Sequence, residues 1–308
     1  MKHVVVTGGA GFIGSHLTRA LVEQGLQVSV MDDLSSGKAS SVPPEADLIQ
    51  LDVASAAARD KIAELAPDVV YHLAAQADVQ RSIQNPLADC SVNVLGTLQV
   101  LEGLRKAGAG KLVFASTSAV YGMLQKDLIG EDDSLESVSF YGLSKRTAEE
   151  YIRLHHALYG TRYTILRYGN VYGPGQTPKG EGGVVAIFLE KLAKGEPLTI
   201  FGDGEQTRDF IYVKDIVSAN LAAGERGDGE TINASTGKTT RIRVLAEKLL
   251  EETKTALPIQ YAPGKAGDIR HSCLANSKLT QILLHQPKFS VEQGLRETLQ
   301  TAGFLLRP

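Results

Sequence analysis

The 308-residue chain has little of what marks several classes of protein. Its two cysteines, Cys90 and Cys273, lie far apart and form no metal- or redox-type pair, so a reducing cytoplasmic location is expected. The net charge of −3 gives no reason to expect nucleic acid or a membrane surface as a partner. The apolar stretch near the start, Val4–Val6, is too short for a signal peptide or a membrane span.

Clustered metal ligands and repeats are also missing from the sequence. The histidine pair His155-His156 and the single His271 have no cysteine or aspartate partners at metal-ligand spacing, so no metal site is expected. The chain shows no internal repeat and no low-complexity tract. A hydrophobic content of 43% with 22% charged residues is that of an ordinary globular protein.

What the chain does have is an alternation of short apolar runs with longer amphipathic segments. The apolar runs lack a clean period of two, as expected for parallel strands buried on both faces. They are Val4–Thr7, Val28–Met31, Leu48–Leu51, Val69–Leu73, Leu112–Ala115 and Thr164–Leu166. Helices are expected between them, for example at Ile13–Gln24, Leu87–Lys106 and Tyr141–His156. This rhythm predicts an α/β fold with a doubly wound parallel sheet of the Rossmann type.

The pattern changes after Tyr168, where a segment rich in glycine and proline is followed by shorter, scattered strands. We therefore expect residues 1–168 to form the sheet domain, with the chain returning to it at about 210–226. Residues 169–308 are expected to form a smaller α/β lobe over the carboxyl ends of the strands.

A glycine turn, Gly8-x-x-Gly11-x-x-Gly14, follows the first predicted strand. Gly8 closes the strand, Gly11 would let the main chain approach a phosphate, and Gly14 would let the next helix pack on the sheet. The helix N-terminus then points its free amides and its dipole at a pyrophosphate. Three glycines alone are weak evidence, but between a strand and a helix they predict a dinucleotide site.

Asp32 closes the second predicted strand, about 20 residues past the turn. Its carboxylate could accept hydrogen bonds from both adenosine ribose hydroxyls and would repel a 2′-phosphate, which favours NAD over NADP. Capping of the strand–loop junction is the alternative, and Asp33 could share the role. Two weaker signals for a nucleotide site are Asp52 and Val53 at the end of the third strand and Leu73, Ala74 and Ala75 at the end of the fourth. A role of these residues in packing alone explains them equally well.

The second signature is Tyr141-x-x-x-Lys145, which follows the strand that ends at Thr117. A free tyrosine has a pKa of about 10, too high for a base near neutral pH. A lysine ammonium one helical turn away and a positive nicotinamide ring would both favour the phenolate and lower that pKa. Thr117 would hydrogen-bond the same substrate oxygen and help to pass the proton. With the glycine turn, this spacing predicts a redox active site.

These motifs resemble the extended short-chain dehydrogenase/reductases, and within them the nucleotide-sugar 4-epimerases of the UDP-glucose 4-epimerase type. The matching stretches run from Thr7–Gly14 to Gly267–Ser272 and cover essentially the whole chain. The resemblance implies tightly held NAD, with Thr117 as the catalytic hydroxyl residue, Tyr141 as the base and Lys145 on the nicotinamide ribose. It further implies cofactor contacts from Phe12, Ile13, Ser36, Gly37, Asn93 and Tyr168.

The same resemblance implies that the smaller lobe binds a UDP-sugar. The matching residues are Asn170 at the diphosphate, Thr199 and Phe201 around the uracil, Arg208 on the phosphates, and Val184 and Asp268 at the same site. The family's second arginine is replaced by Lys265, so either Lys265 serves as a point charge or Arg270 substitutes for it. Ser272 falls where a family residue lines the pocket beside carbon 2 of the sugar. A small serine there predicts that N-acetylated UDP-hexoses fit as well as plain ones, unless Ser272 is merely a polar strand residue.

The residues after Thr117 argue against two other reactions of related enzymes. Sugar-nucleotide 4,6-dehydratases carry Asp-Glu after this threonine, and UDP-glucuronate decarboxylases carry a glutamate two places after it, whereas this chain has Ser118 and Ala119. We therefore expect reversible 4-epimerisation of a UDP-hexose (UDP-glucose/UDP-galactose, and also UDP-GlcNAc/UDP-GalNAc) through a 4-keto intermediate. A UDP-glucuronate 4-epimerase or decarboxylase-type relative, and a non-catalytic NAD-binding sensor, stay open as alternatives. The resemblance also implies a homodimer through the helices at Leu87–Lys106 and Tyr141–His156.

Overall fold

The computed structural model describes residues 1–108, 110–124, 126–178, 183–264 and 269–305. The strands are β1 (His3–Thr7), β2 (Gln27–Asp32), β3 (Asp47–Gln50), β4 (Val69–His72), β5 (Lys111–Thr117), β6 (Arg162–Tyr168), β7 (Asn170–Tyr172), β8 (Leu198–Phe201), β9 (Thr207–Arg208), β10 (Phe210–Tyr212), β11 (Glu230–Ala234), β12 (Thr240–Arg241) and β13 (Ile259–Ala262). The helices are α1 (Phe12–Glu23), α2 (Ala56–Leu65), α3 (Val79–Gln84), α4 (Pro86–Cys90), α5 (Gly96–Ala107), α6 (Phe140–Tyr159), α7 (Val184–Lys194), α8 (Val213–Glu225), α9 (Ile242–Thr253), α10 (Ser277–Gln281) and α11 (Val291–Thr301).

A seven-stranded parallel sheet in the order β11-β6-β5-β4-β1-β2-β3 forms the centre of the fold. The predicted doubly wound Rossmann-type sheet is therefore confirmed, and each of the six predicted apolar runs contributes a strand. The seventh strand, β11, comes from the part of the chain predicted to lie in the small lobe. Its sequence, Glu-Thr-Ile-Asn-Ala, is too short and polar to stand out, and pairing with β6 holds it in the sheet.

Successive residues of each central strand face two different apolar layers. Val4 and Val6 of β1 pack with Leu17 and Leu21 of α1 on one side. Val5 faces the opposite layer, which is built on α2, α5 and α6. Because both faces are covered, strand positions of either parity are apolar, which explains the continuous runs in the sequence. β3 differs from the prediction: as an edge strand it is partly exposed, and Leu48 has 37% of its surface accessible.

The single helix expected at Leu87–Lys106 is wrong in detail, because α4 and α5 are separated by a π-helical turn at Ser91–Leu95. α4 begins with Pro86 at its first turn, and the Asn85 side chain accepts a hydrogen bond from the Ala88 amide. The π-turn carries Asn93, which is fully buried in a polar cluster described below. Such single π-turns accommodate one residue more than an α-helical turn and are frequent near functional sites.

The smaller lobe contains three two-stranded sheets, which pair β7 with β10, β9 with β12 and β8 with β13. The helices α7, α9 and α11 pack with them. Its own apolar core includes Phe188, Leu198, Leu245 and Leu295. Between its strands the chain passes through α8, which packs on α1 against the large sheet. The division of the chain at residue 168 stays a prediction. In the described ranges, no helix combines the length and apolar character that crossing a bilayer requires.

Candidate active site

The glycine turn packs main chain against main chain at the carboxyl end of the sheet. Gly8 has a φ of +70°, and a Cβ on it would lie 2.7 Å from the Ala74 amide nitrogen at the end of β4. A Cβ on Gly14 would lie 2.0 Å from the Gly8 carbonyl oxygen. Gly11 is the N-cap of α1 and supplies no side-chain cap, so the first amides of α1 are available to an anion. The turn can therefore hold a pyrophosphate.

Asp32 ties the end of β2 to this turn. Its Oδ2 accepts a hydrogen bond from the Ala10 amide and its Oδ1 one from the Leu34 amide, each at 2.9 Å. Asp32 is 7% exposed, and each carboxylate oxygen retains a second lone pair that a ribose hydroxyl could use. The structure thus shows the capping role of Asp32 and leaves room for the nucleotide role. Gly37 lies directly on the turn, since a Cβ there would meet the Ala10 carbonyl carbon at 2.8 Å.

The other predicted cofactor residues lie around the same strand ends with different exposures. Asp33 is exposed and accepts hydrogen bonds from Ser35, Asp52 is exposed and accepts one from the Ala54 amide, and Ser36 is exposed. Val53 is buried against the π-turn side of α5. Phe12, Ile13, Leu73, Ala74 and Ala75 are half-buried beside the glycine turn or at the end of β4.

Asn93 on the π-turn lies in a fully buried polar cluster. Its Oδ1 accepts a hydrogen bond from the Gln76 amide at 3.0 Å, and its Nδ2 lies within 3.2 Å of oxygens of Gln76, Asp89 and Ser144. Ser144 belongs to α6. Through this amide the segment after β4 is fixed to the helix that carries the predicted catalytic tyrosine.

Helix α6 is seated directly on the residues that follow Thr117. Its N-cap, Ser139, accepts a hydrogen bond from the Gly142 amide at 3.0 Å. A Cβ on Gly142 would lie 2.5 Å from the Ala119 carbonyl oxygen, so glycine permits the close approach. Thr117 is the last residue of β5 and is half-buried, as is Tyr141 one residue inside α6. The fold therefore brings the predicted hydroxyl residue and the predicted base to one end of the sheet.

Lys145 is buried beneath that end of the sheet. Only 2% of its surface is exposed, and its Nζ lies 4.6 Å from the centroid of the Phe114 ring on β5, a cation–π contact. Tyr168, which pairs with Thr117 across β5 and β6, is also buried and donates its hydroxyl hydrogen to Asn220 Oδ1 at 2.9 Å. The burial fixes the positions of both side chains.

His72, at the end of β4, is fully buried behind this group. Its Nδ1 lies 2.7 Å from Thr7 Oγ1 and its Nε2 lies 3.1 Å from Thr97 Oγ1. Burial, and to a lesser extent the charge of Lys145, lower the pKa of His72 from 6.5 to about 3. The imidazole of His72 is therefore neutral near pH 7 and adds no positive charge near Lys145.

This burial predicts a pH dependence of stability. Between pH 6.5 and about 3 the unfolded chain binds a proton at His72 that the folded chain does not, so the free energy of unfolding falls as pH falls. The contribution approaches about 1.4 kcal/mol per pH unit inside that window and is absent above it. We expect His72→Asn to flatten this slope in urea unfolding measured at several pH values. His156→Asn, at an exposed histidine, is the matched control; an unchanged slope in His72→Asn would contradict the assignment.

A cavity opens between the sheet domain and the smaller lobe at the residues that follow Thr117; the described residues Thr117 and Tyr141 are not themselves part of its lining. Ser118, Ala119 and Tyr121 line it from the segment after β5, and Asn170, Arg208, His271 and Ser272 line it from the lobe. Tyr121 and His271 were not among the predicted site residues. The only signal for them in the sequence was their position in the chain: Tyr121 lies four residues after Thr117, and His271 lies next to Ser272.

The remaining predicted substrate residues lie on several elements of the smaller lobe. Thr199 and Phe201 are on β8, half-buried and exposed respectively, and Val184 begins α7. Arg270 is exposed and donates a hydrogen bond to Asp203 Oδ2 at 2.9 Å, so the structure pairs it with a carboxylate. The other residues predicted for this site, Lys265 and Asp268, lie outside the described residues. Among the residues described, no group of three or more His, Cys, Asp or Glu side chains could hold a metal ion.

Asp209, which was not among the predicted site residues, stabilises the part of the cavity wall that contains Arg208. It is 1% exposed and accepts hydrogen bonds from the Thr236 amide and hydroxyl and from the Gly237 amide. Its main-chain oxygen accepts a hydrogen bond from the Asn170 amide at 2.8 Å. Asp209 thus holds two cavity-lining residues in fixed relative positions.

A parallel sheet with a glycine turn at one strand end and a Tyr-x-x-x-Lys helix seated beside it is the architecture of the short-chain dehydrogenase/reductases. The narrower assignment comes from comparison with protein families. The model of the NAD dependent epimerase/dehydratase family matches residues 4–235, and the chain belongs to that family.

Three solved structures show how similar the whole chain is to UDP-sugar 4-epimerases. The UDP-glucose 4-epimerase of Thermotoga maritima, solved with UDP-glucose, is 42% identical with a TM-score of 0.94, covering 97% of this chain and 98% of that one. The UDP-glucose 4-epimerase of Thermus thermophilus, in complex with NAD, is 38% identical with a TM-score of 0.92, covering 98% and 99%. The UDP-N-acetylglucosamine 4-epimerase of Methanobrevibacter ruminantium, with UDP-N-acetylmuramic acid, is 35% identical with a TM-score of 0.93, covering 97% of each.

Proposed function

We propose that the protein catalyses reversible inversion at carbon 4 of a UDP-hexose with NAD that it keeps bound. The observation that carries this proposal is the packing of α6 on the segment after β5: Gly142, next to Tyr141 in the chain, lies against Ala119, and Ala119 lines the cavity. Ser118 and Ala119 follow the catalytic threonine, so no acid or base stands where dehydratases and decarboxylases carry one. The similarity to UDP-glucose 4-epimerases supports the same reaction.

The residues around the glycine turn fit NAD. The close packing of Gly8 and Gly14 and the uncapped start of α1 leave main-chain amides for the pyrophosphate, and Asp32 stands at the expected ribose position. When bound, NAD supplies the hydride acceptor and donor at carbon 4 of the sugar. We expect Lys145, which is buried against the Phe114 ring, to bind the nicotinamide ribose and to favour the phenolate of Tyr141.

In the proposed mechanism Tyr141 removes the proton of the carbon 4 hydroxyl, and Thr117 hydrogen-bonds the same oxygen. The sugar then exists as a 4-keto hexose and must turn its other face toward the cofactor before Tyr141 returns the proton. This requires a firm hold on the UDP group and a loose hold on the sugar. We expect Asn170 and Arg208, which line the cavity, to perform the first task, while Ser118 and Ala119 give the cavity wall after Thr117 small, uncharged side chains.

The direct test is to incubate the purified enzyme, without added NAD, with UDP-glucose, UDP-N-acetylglucosamine and UDP-glucuronate separately and to identify products by NMR. Conversion of the neutral sugars to their 4-epimers supports the proposal. Turnover of UDP-glucuronate alone would assign the uronate reaction instead. No turnover even with added NAD would leave the non-catalytic sensor as the function.

The size of Ser272 carries the prediction about substrate range. Ser272 lines the same cavity as Ser118 and Ala119, and we expect its small side chain to leave space for an N-acetyl group at carbon 2. We expect Ser272→Tyr to lower kcat/KM for UDP-N-acetylglucosamine by about 100-fold through steric overlap, with UDP-glucose changed less than about fivefold. Ser272→Ala is the matched control and should retain both activities. An equal fall in kcat/KM for UDP-N-acetylglucosamine and UDP-glucose in Ser272→Tyr would contradict the proposal that the size of residue 272 sets the substrate range.

We also propose that two copies of the chain associate through α4, α5 and α6. An exposed apolar stripe runs along α6 at helical spacing, and Leu87 and Leu95 are exposed on the neighbouring segment. The stripe consists of Leu143, Tyr151, Leu154 and Leu158. A second copy related by a twofold axis would cover this face with the same face of its own. Light scattering should give twice the chain mass, and Leu154→Glu should reduce it; a monomeric wild type would overturn the proposal.

A reducing, cytoplasmic compartment is proposed on the state of the two thiols. Cys90 is exposed and Cys273 is buried near Asp209, and both are free. An exposed free thiol is stable where thiols are kept reduced. Location of the tagged protein in cell fractions would decide this directly.

A further inference from the structure

A buried ion pair outside the cavity joins the elements that carry the predicted catalytic residues. Glu149 of α6 and Arg167 of β6 are 0% and 2% exposed. Arg167 Nε lies 3.0 Å from Glu149 Oε1 and Arg167 Nη2 lies 2.6 Å from Glu149 Oε2, a bidentate arrangement. The hydroxyl of Ser116 on β5 donates to the same Glu149 Oε1 at 2.6 Å. Short polar contacts therefore fix α6, β5 and β6 to one another away from water.

Each member of this cluster is close in sequence to a predicted catalytic residue. Glu149 lies one helical turn beyond Lys145 and two turns beyond Tyr141, so the three share one face of α6. Ser116 directly precedes Thr117 at the end of β5. A shift of Glu149 relative to Ser116 would therefore move Tyr141 relative to Thr117.

The other end of the guanidinium reaches the wall of the cavity. Arg167 Nη1 donates to the Tyr121 hydroxyl at 2.9 Å and to the Glu131 carbonyl oxygen at 3.1 Å. The Tyr121 hydroxyl in turn donates to Asn233 Oδ1 at 2.7 Å, and Tyr121 is one of the residues that line the cavity. The cluster thus connects the helix of the predicted base with the surface that meets the substrate.

Stability alone is a weak reason for such a pair. Two charges lose their hydration on burial, and replacing a buried ion pair by apolar residues of similar volume is often neutral or stabilising. Burial by itself would raise the pKa of Glu149, but the hydrogen bonds and charge of Arg167, the hydrogen bond from Ser116 and the charge of the half-buried Arg153, whose Nη2 lies 2.8 Å from Glu149 Oε2, together hold that pKa below its ordinary value. The pair is therefore ionised, and its directional geometry is what an apolar pair would lack.

We propose that Glu149 and Arg167 are positioning residues that set the place of the Tyr141 hydroxyl relative to Thr117. The proposal rests on the proposed epimerase function for its kinetic readout. A displacement of about 1 Å between reacting groups can cost about 100-fold in rate, so the orientation of α6 has a large influence on kcat.

The test replaces the pair by apolar residues, Glu149→Leu together with Arg167→Met. We expect the double variant to fold with a melting temperature lowered by the loss of the acceptor of the buried Ser116 hydroxyl, and with a kcat lower by about 10- to 100-fold at unchanged KM for the UDP-sugar and unchanged NAD content. A near-ultraviolet absorbance titration, each protein compared with its own Tyr141→Phe partner, follows ionisation of the Tyr141 phenol. We expect that ionisation to move to higher pH in the double variant.

The control is the ion pair at the opposite end of β5, between the buried Lys111 and the exposed Asp228. Lys111→Met with Asp228→Asn should leave both kcat and the phenol titration as in the wild type. Wild-type kcat and titration in the folded Glu149/Arg167 double variant would overturn the proposal, because the pair would then only stabilise the fold.

Two further outcomes are decided by other measurements. If the double variant does not fold, Arg167→Lys serves instead, because lysine keeps the charge but cannot make the bidentate contact with Glu149. We expect the same fall in kcat at constant KM, and a wild-type kcat in this variant would overturn the proposal. If the wild type turns over no UDP-sugar, the epimerase function fails while the phenol titration still decides: a shift supports positioning, and no shift overturns it.

Discussion

Replacing Tyr141 with phenylalanine is expected to lower kcat for 4-epimerisation by about 10²- to 10⁴-fold, the range of a lost general acid–base group. The residue lies one position inside α6, whose start is held by the Ser139 cap and by the approach of Gly142 to Ala119. Loss of one hydroxyl at a half-buried position should leave this seating intact. We therefore expect unchanged NAD content, an unchanged melting temperature and a KM for the UDP-sugar within about twofold.

The matched control for this variant is Tyr159→Phe, at the far end of the same helix. Tyr159 is 56% exposed, its ring lies beneath the Arg105 guanidinium, and it is not among the residues that line the cavity. Its substitution should leave kcat as in the wild type. Activity of Tyr141→Phe within tenfold of the wild type would show that another group removes the proton, and the base assignment would then be wrong.

Much of this architecture could be predicted because it depends on local patterns. The apolar runs mark parallel strands covered on both faces, and the glycine turn and Tyr141-x-x-x-Lys145 are short spacings that can be recognised in any chain. The sequence could not place β11 in the sheet, since its inclusion depends on pairing with β6 some 60 residues earlier. It also could not show the π-turn at Ser91–Leu95, which has no compositional mark.

Contacts between distant residues account for what the sequence analysis missed in the site. Glu149 and Arg167 are charged residues that a sequence pattern places on the surface, and only the fold shows that each neutralises the other in the interior. Asp209 was passed over because its partners, Thr236 and Gly237, lie on a loop after β11. Residues that touch ligands are marked by motifs, whereas residues that hold them in place are marked by tertiary contacts.

Replacing Gly14 with alanine is expected to destabilise the fold by about 3 kcal/mol or more, the upper part of the range for overpacking. The added Cβ would lie 2.0 Å from the Gly8 carbonyl oxygen and 2.8 Å from the Gly9 Cα. Both neighbours are main chain of the same turn, so no side chain can rotate to make room. Either α1 moves away from β1 or the turn opens, and each change also disrupts the phosphate site. Urea unfolding measures the stability, and NAD released on denaturation measures the cofactor.

Gly11→Ala separates cofactor binding from folding at the same turn. A Cβ on Gly11 would have a single near neighbour, the Gly8 carbonyl oxygen at 3.3 Å, and the backbone has an extended conformation with φ of −79° that alanine adopts freely. We expect a stability loss of about 1 kcal/mol or less, because alanine is a poorer N-cap than glycine, together with a strongly reduced NAD content. Wild-type stability in Gly14→Ala would contradict the packing argument. Full NAD content in Gly11→Ala would instead show that the pyrophosphate is held elsewhere, since the close approach of phosphate to main chain at this residue is what its lack of a side chain provides.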